Sequence, residues 1–177
     1  GLLAGLVFLL VSGRSRAEAV ARTMTEDLSL EKARLSAILE GTRVGTWEWN
    51  IQTGETVFNE EWANIVGYKL EELEPVSIVT WASLTHPDDL QKSDKLLKQY
   101  FAGETPFYEY EARMRHKDGH WIWVLDRGKV GKWDEAGKPL IVYGTHQDIT
   151  RARLELETYH HGAHHDILTN LPNRALL

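Results

Sequence analysis

A histidine-rich segment near the C-terminus has the residue types and spacing of a metal site. His160, His161, His164 and His165 form two pairs whose members are four residues apart. On a helix such pairs share one face, which is the spacing that zinc-binding helices use. The segment lacks the glutamate of an H-E-x-x-H motif, and no third ligand is evident in the sequence. We therefore expect no metal at these histidines.

The composition excludes several other kinds of chemistry. The 177 residues include no cysteine, so thiol nucleophiles, disulfides, cysteine-ligated zinc and iron–sulfur clusters are ruled out. The net charge is −6, whereas a broad nucleic-acid-binding surface would need clustered Lys and Arg. Residues 41–150 contain eighteen acidic and twelve basic side chains and so carry the whole excess. We expect one acidic globular domain between two charge-balanced flanks, and no nucleic-acid partner.

The central part of the chain has the pattern of a small sheet with helices. Apolar and polar residues alternate through residues 43–58 around a Thr53-Gly54 turn, which predicts two strands. Asn59 and Pro87 are placed to begin two helices. Three further strands follow, the first two joined by a turn at Lys117-Asp118-Gly119. This order predicts an α/β (α+β) domain with a five-stranded antiparallel sheet and short helices on one face.

These segments together resemble the PAS sensory domain, including its C-terminal PAC portion. The resemblance is carried, in the family's order and spacing, by GTWEWNIQTGE, NEEWANIVGY, THPDDL, MRHKDGHWIWV, DEAGKPLIVYG and DIT. It implies a PAS fold over residues 41–150 that senses a ligand, a cofactor or a partner helix. A signal would leave through the helix that follows the Asp-Ile-Thr segment.

The resemblance implies a ligand pocket between the sheet and the short helices. Its candidate wall is aromatic, with one histidine on the last strand: Trp47, Trp49, Phe58, Trp62, Tyr68, Trp81, Tyr108, Trp123, Tyr143 and His146. A small domain also needs such side chains for its core, so the alternative interpretation of each one is ordinary packing. We therefore expect either a small-molecule ligand in this pocket or a core that these side chains fill.

The resemblance makes haem and flavin the candidate cofactors. PAS domains that bind haem generally use a histidine on the long helix, and residues 88–101 contain none. Without cysteine a cysteinyl–flavin adduct is excluded, and only a non-covalent flavin stays open. We expect no bound cofactor in this chain.

The segment from Asp148 through Ile149 to Thr150 is the candidate signal relay. Asp148 or Thr150 can cap the outgoing helix, and Ile149 can pack on the sheet edge, so that a strand movement passes to the helix. A purely structural helix cap is the alternative.

A second resemblance lies at the C-terminus, where DILTNLPNR is similar to the D-x-L-T-x-L-x-N-R motif that opens GGDEF domains, the diguanylate cyclases. The matching positions are Asp166, Leu168, Thr169, Leu171, Asn173 and Arg174. The resemblance implies a stalk helix over residues 151–165 and the start of a GGDEF domain over residues 166–177. The residues of that domain that use GTP and magnesium would lie beyond Leu177, so this chain is expected not to be an enzyme itself.

The N-terminal segment has the pattern of a membrane exit. Residues 1–13 are apolar and uncharged, and Arg14, Arg16 and Arg22 follow them. That order predicts the end of a transmembrane helix that leaves the bilayer on the cytoplasmic side. Residues 14–40 predict a linker helix, and a short coiled-coil seam on it suggests a homodimer formed through the flanking helices. The seam consists of Met24, Leu28, Leu35 and Ile38.

Together these patterns predict a sensory PAS module of a membrane-anchored diguanylate cyclase. The module would relay ligand or partner signals through the stalk to control cyclic di-GMP synthesis at the bacterial inner membrane, with the PAS domain on the cytoplasmic side. The alternative is a ligand-free PAS module that dimerises and relays signals from the membrane side. The terminal motif argues against a kinase or chemoreceptor transmitter, and the presence of a phosphodiesterase domain stays open.

Overall fold

The computed structural model describes the backbone of residues 2–164 and the side chains of residues 14–159. The chain divides into two compact units, Gly1–Thr42 and Arg43–Leu177. The first unit is a single long helix, α1 (Leu2–Thr42), which includes the residues predicted as a linker helix. No helix within the described residues has an apolar stretch long enough to cross a bilayer.

Several predictions lie outside the described residues. They concern the side chains of residues 1–13, the histidines at positions 160, 161, 164 and 165, and the segment from Asp166 to Arg174.

The second unit contains five strands and several helices. The strands are β1 (Gly45–Asn50), β2 (Thr56–Phe58), β3 (Tyr108–Arg115), β4 (Trp121–Trp133) and β5 (Pro139–Asp148). The helices are α2 (Glu60–Ile65), α3 (Ile78–Leu84), α4 (Pro87–Phe101) and α5 (Thr150–His164), with a short 3-10 helix at Leu70–Leu73.

The strands form one antiparallel sheet in the order β2-β1-β5-β4-β3. The predicted five-stranded antiparallel sheet with helices is therefore confirmed. Because β1 pairs with β5, the first and last strands of the domain lie side by side in the sheet. The strand that precedes α5 is thus flanked by β1 and β4, at the centre of the sheet.

Local sequence signals explain where the short helices begin. The side chain of Asn59 accepts a hydrogen bond from the backbone N–H of Trp62 and another from that of Thr46, at 2.8 Å, so it caps α2 and ties it to β1. Pro87 occupies the first turn of α4, as predicted, and the Nδ1 atom of His86 accepts the N–H of Asp88 at 3.3 Å. Both helix starts follow from capping residues that are visible in the sequence.

The core lies on the sheet face that the helices cover. Along β4 every second residue from Ile122 to Val130 is buried, as expected for a strand with one covered face. One cluster contains Phe58 stacked on Trp62 with ring centroids 3.8 Å apart. A second cluster contains Tyr100 and Tyr108, and the partly buried Trp47 packs against both.

An aromatic cavity with a buried carboxylate

A cavity of about 160 Å³, partly open to solvent, lies between the sheet and helices α3 and α4. Its volume is close to the roughly 150 Å³ of an engineered apolar cavity that binds benzene. Aromatic and aliphatic side chains form most of the wall, and a few polar ones share it. The lining residues are Trp47, Trp49, Thr56, Phe58, Ile78, Trp81, Leu90, Ser93, Asp94, Leu97, Tyr108, Asp126 and His146.

The position of Trp47 depends on two glycines in the neighbouring strands. Trp47 pairs with Gly144 of β5, which in turn pairs with Gly128 of β4. A Cβ atom at either glycine would overlap the Trp47 indole. The Trp47 ring therefore lies over these two glycines, and a larger residue at either position would exclude the ring. Trp49 is two residues further along the strand, and so both indoles project to the same face.

Asp126 is the polar centre of the cavity. It is 4% exposed and accepts hydrogen bonds from the Trp47 indole N–H at 3.0 Å and from the Tyr108 hydroxyl at 3.1 Å. The Nε2 atom of His146 lies 3.1 Å from the same carboxylate. Two donors from β1 and β3 thus hold one carboxylate on β4 in the cavity wall, and a histidine of β5 lies beside it.

The network continues to α4 through Tyr108. Its hydroxyl lies 2.8 Å from the Ser93 hydroxyl. Burial, and then the negative charge of Asp126, raise the pKa of Tyr108 far above the ordinary value. The phenol therefore stays protonated and able to donate to Asp126 at any physiological pH.

One polar atom in the wall has no partner. The indole Nε1 of Trp49 is buried and makes no hydrogen bond among the described residues. A buried donor without an acceptor costs free energy, of order 1–3 kcal/mol.

The structure brings six of the ten predicted pocket residues to the cavity: Trp47, Trp49, Phe58, Trp81, Tyr108 and His146. The other four do not line it. Trp62 lies behind Phe58 in the core, and Tyr68 packs against the same cluster with Lys117 5.3 Å from its ring centroid. Trp123 and Tyr143 lie on the opposite face of the sheet, because each is one residue away from a buried neighbour on its strand.

The relay segment is bonded to β4 at a single residue. The backbone N–H of Ile149 donates to the Trp123 carbonyl at 2.9 Å, and the Trp123 N–H donates to the Thr150 hydroxyl at 2.9 Å. The Asp148 carboxylate accepts the Thr150 N–H at 2.8 Å, which satisfies a free donor at the start of α5. Ile149 thus contacts the sheet through its backbone.

Arg153 extends this attachment to β3. Its guanidinium lies 3.8 Å from the centroid of the Trp123 ring and donates to Glu111 at 2.7 Å. Arg153 and Glu111 are 42 residues apart in sequence, so no local pattern could have indicated the pair. The first turn of α5 is therefore held by both β4 and β3.

Three side chains at the β3–β4 hairpin have the chemistry of a metal site. The candidate ligand atoms of His116, Asp118 and His120 lie within 4.8 Å of one another. However, Nδ1 of His116 already accepts the N–H of Asp118 at 3.2 Å, and its Nε2 faces Gly67. The His116 ring is thus used to fix the hairpin against the loop after α2.

Neither haem nor flavin fits the cavity. Pockets that hold drug-sized ligands enclose roughly 300–1,000 Å³, whereas this one encloses about 160 Å³. The Nε2 atom of the histidine in its wall, His146, lies 3.1 Å from the Asp126 carboxylate. The geometry therefore favours a much smaller ligand.

Comparisons with known proteins agree with the fold. A family model described as PAS fold matches residues 55–146. A sensory box histidine kinase/response regulator from Burkholderia thailandensis is 28% identical with a TM-score of 0.62, over 72% of this chain and 92% of that structure. The N-terminal domain of a diguanylate cyclase with PAS/PAC sensor from Marinobacter aquaeolei is 25% identical with a TM-score of 0.53, over 62% of this chain and 98% of that structure.

A curated relative covers more of the sequence. The uncharacterized protein y4lL of Sinorhizobium fredii is 29% identical over an alignment of 163 residues, and the match covers 88% of this chain. The matched region is 19% of that relative's own length. This chain therefore corresponds to a small part of a much longer protein there.

Proposed function

The chain belongs to the PAS fold family, and we propose that it is the sensory module of a membrane-anchored diguanylate cyclase. In this proposal a small molecule in the cavity changes the positions of β4 and β5. Helix α5 then carries the change to the output domain and alters cyclic di-GMP synthesis.

The observation that carries the proposal is that the cavity and α5 share the same two strands. Asp126 of β4 lies three residues after Trp123, whose backbone holds both Ile149 and Thr150. His146 of β5 lies two residues before Asp148, which binds the first N–H of α5. A ligand that moves the Asp126–His146 pair therefore acts on the residues that hold α5.

Two features support the output and the membrane anchor. The segment from Asp166 to Arg174 resembles the opening of GGDEF domains, and a diguanylate cyclase from Marinobacter aquaeolei has a similar N-terminal domain. The apolar residues 1–13 and the arginines that follow them support a membrane exit in the N-terminal part of α1. Residues 1–13 and 166–174 lie outside the residues whose side chains the structure describes.

Insertions in α5 of the full-length protein test the relay. One to four residues added after Glu157 rotate everything beyond by about 100° per residue. We expect one or two residues to change cyclic di-GMP synthesis strongly and four residues to return it toward the original level. The same insertions in the exposed turn after Glu135 serve as the control and should have little effect.

Two results would contradict the proposal. Activity that does not depend on the insertion length would reject a rotation of α5 as the signal. Phosphotransfer without cyclic di-GMP synthesis would reject the diguanylate cyclase output. The alternative, a ligand-free relay, also predicts that activity depends periodically on the insertion length. It differs in that the active protein should show no bound small molecule in denaturing mass spectrometry.

A further inference from the structure

We propose that the cavity binds a small organic cation, a methylated ammonium or protonated amine about as large as a benzene ring. This inference rests on the proposed sensory function and specifies its ligand. It follows from the walls, the charge and the volume of the cavity.

The walls are suited to a cation because they are aromatic on several sides. Trp47 and Trp49 come from β1, Phe58 from β2 and Trp81 from α3, and all four line the cavity. The faces of aromatic rings carry a negative potential that attracts cations, most strongly for Trp. Groups of such rings are the usual recognition site for quaternary ammonium ions.

The charge of the wall also favours a cation. Its acidic residues are Asp94 and Asp126, and neither lysine nor arginine lines the cavity. Asp94 is largely exposed and forms an ion pair with Lys98 at 2.5 Å, so Asp126 is the carboxylate that a ligand would meet inside. An anionic ligand would face this carboxylate without any lysine or arginine to balance it.

Asp126 keeps acceptor capacity for a ligand. A carboxylate offers about four acceptor sites. Trp47 and Tyr108 each occupy one, and Nε2 of His146 lies 3.1 Å from the oxygen that Trp47 bonds. Trp47 and Tyr108 are neutral donors and hold the carboxylate in place without cancelling its charge. The cavity wall therefore places a buried carboxylate among aromatic rings.

The volume restricts the size of the ligand further. About 160 Å³ accommodates a group of benzene size, which excludes large cations with fused rings. Choline, a trimethylammonium alcohol of about this size, is therefore the probe for this cavity.

The first experiment compares choline with 3,3-dimethyl-1-butanol, which has the same shape but carbon in place of the charged nitrogen. Isothermal titration of the chain should show choline binding roughly tenfold or more tightly than the neutral alcohol. Equal affinities, or tighter binding of the alcohol, would show an ordinary apolar cavity and overturn the proposal. Tighter binding of a small carboxylate such as isovalerate would also overturn it.

Asp126→Asn then isolates the charge, since the asparagine keeps one acceptor oxygen and nearly the same shape. We expect roughly a tenfold loss of choline affinity with little change for the neutral alcohol. Asp27→Asn on the exposed surface of α1 is the matched control and should change neither. A choline affinity that survives in Asp126→Asn would contradict the assignment of Asp126 as the counter-ion.

A second variant keeps the test valid if Asp126→Asn does not fold. Trp81 is only partly buried, so Trp81→Leu should fold, and it should weaken choline binding more than binding of the neutral alcohol. Equal weakening of both would reject the aromatic cage. If no cation binds while α5 insertions still change activity periodically, the ligand class is wrong and the proposed sensory relay stands.

Discussion

Asp89 links the start of α4 to β3 through a buried carboxylate. It is 2% exposed and accepts hydrogen bonds from the Tyr110 hydroxyl at 3.1 Å and from Arg113 through its backbone N–H at 2.9 Å and its guanidinium at 2.8 and 3.0 Å. Burial raises the pKa of Asp89, but the hydrogen bonds from Arg113 and Tyr110 together outweigh it and lower the pKa to about 2.

This pKa predicts how acid destabilises the domain. Because the folded-state pKa lies below the unfolded value of 3.8, Asp89 contributes roughly 2 kcal/mol above about pH 4 and loses it as the pH falls toward 2. Asp89→Asn should lower the free energy of unfolding at pH 7 by about 2–3 kcal/mol. It should also flatten the decline between pH 4 and 2, measured by urea unfolding at each pH. An unchanged acid limb in the variant would show that other carboxylates cause the decline.

Gly67 is a second residue whose identity is fixed by its surroundings. Its φ is +80°, and a Cβ there would overlap the His116 ring. Gly103 has nearly the same φ, +78°, with open space around it. Gly67→Ala should therefore destabilise the domain by about 2–3 kcal/mol, and Gly103→Ala by about 1 kcal/mol. Denaturant midpoints measure both, and equal losses would mean that the His116 contact has no cost.

The starts of helices and the positions of turns depend on residues that are neighbours in sequence, and these features were predictable from the sequence. The Asn59 cap, the Pro87 helix start and the hairpin turn at Gly119 are local and were found. Two of the four predicted pocket residues that do not line the cavity, Trp123 and Tyr143, lie on strands with their side chains on the opposite face. Tyr143 is three residues from His146, so on one strand the two cannot share a face, yet both were assigned to the pocket.

The alternation of buried and exposed residues along β4 also indicates the position of Asp126, a cavity residue that was not predicted from the sequence. Asp126 is two residues after Val124 and four after Ile122, which places it on the buried face of β4. A charged residue on a strand is usually assigned to solvent, because its buried partners are distant in sequence. Here Trp47 is 79 residues away and Tyr108 is 18 residues away, so only the assembled sheet shows the cluster.

The attachment of α5 yields an element-scale prediction. Thr150→Val keeps the shape of the side chain but removes the acceptor for the Trp123 N–H, bonded at 2.9 Å. We expect faster amide hydrogen exchange across the first turns of α5, and a small change in global stability of about 1 kcal/mol. Thr158→Val on the same helix is the matched control, since Thr158 only bonds the Leu154 carbonyl one turn earlier. Equal exchange rates in the two variants would mean that the Trp123 bond does not hold α5.

The whole molecule combines two units with different sources of stability. Both core clusters and all seven tryptophans belong to the unit that begins at Arg43. The side chains of α1 are exposed from residue 14 to its end. A helix without a buried face is marginal in water, so we expect α1 to need a partner surface.

The two units should therefore respond differently to protein concentration. If the seam formed by Met24, Leu28, Leu35 and Ile38 joins two copies, the loss of helix seen by circular dichroism should shift to higher temperature over a roughly hundredfold rise in concentration. Tryptophan fluorescence, which reports only the unit beginning at Arg43, should shift much less.

Leu28→Lys should abolish the shift, because it places like charges together in the seam. Leu30→Lys, which is equally exposed but off the seam, should leave it intact. A helix signal independent of concentration would reject the predicted dimer along α1.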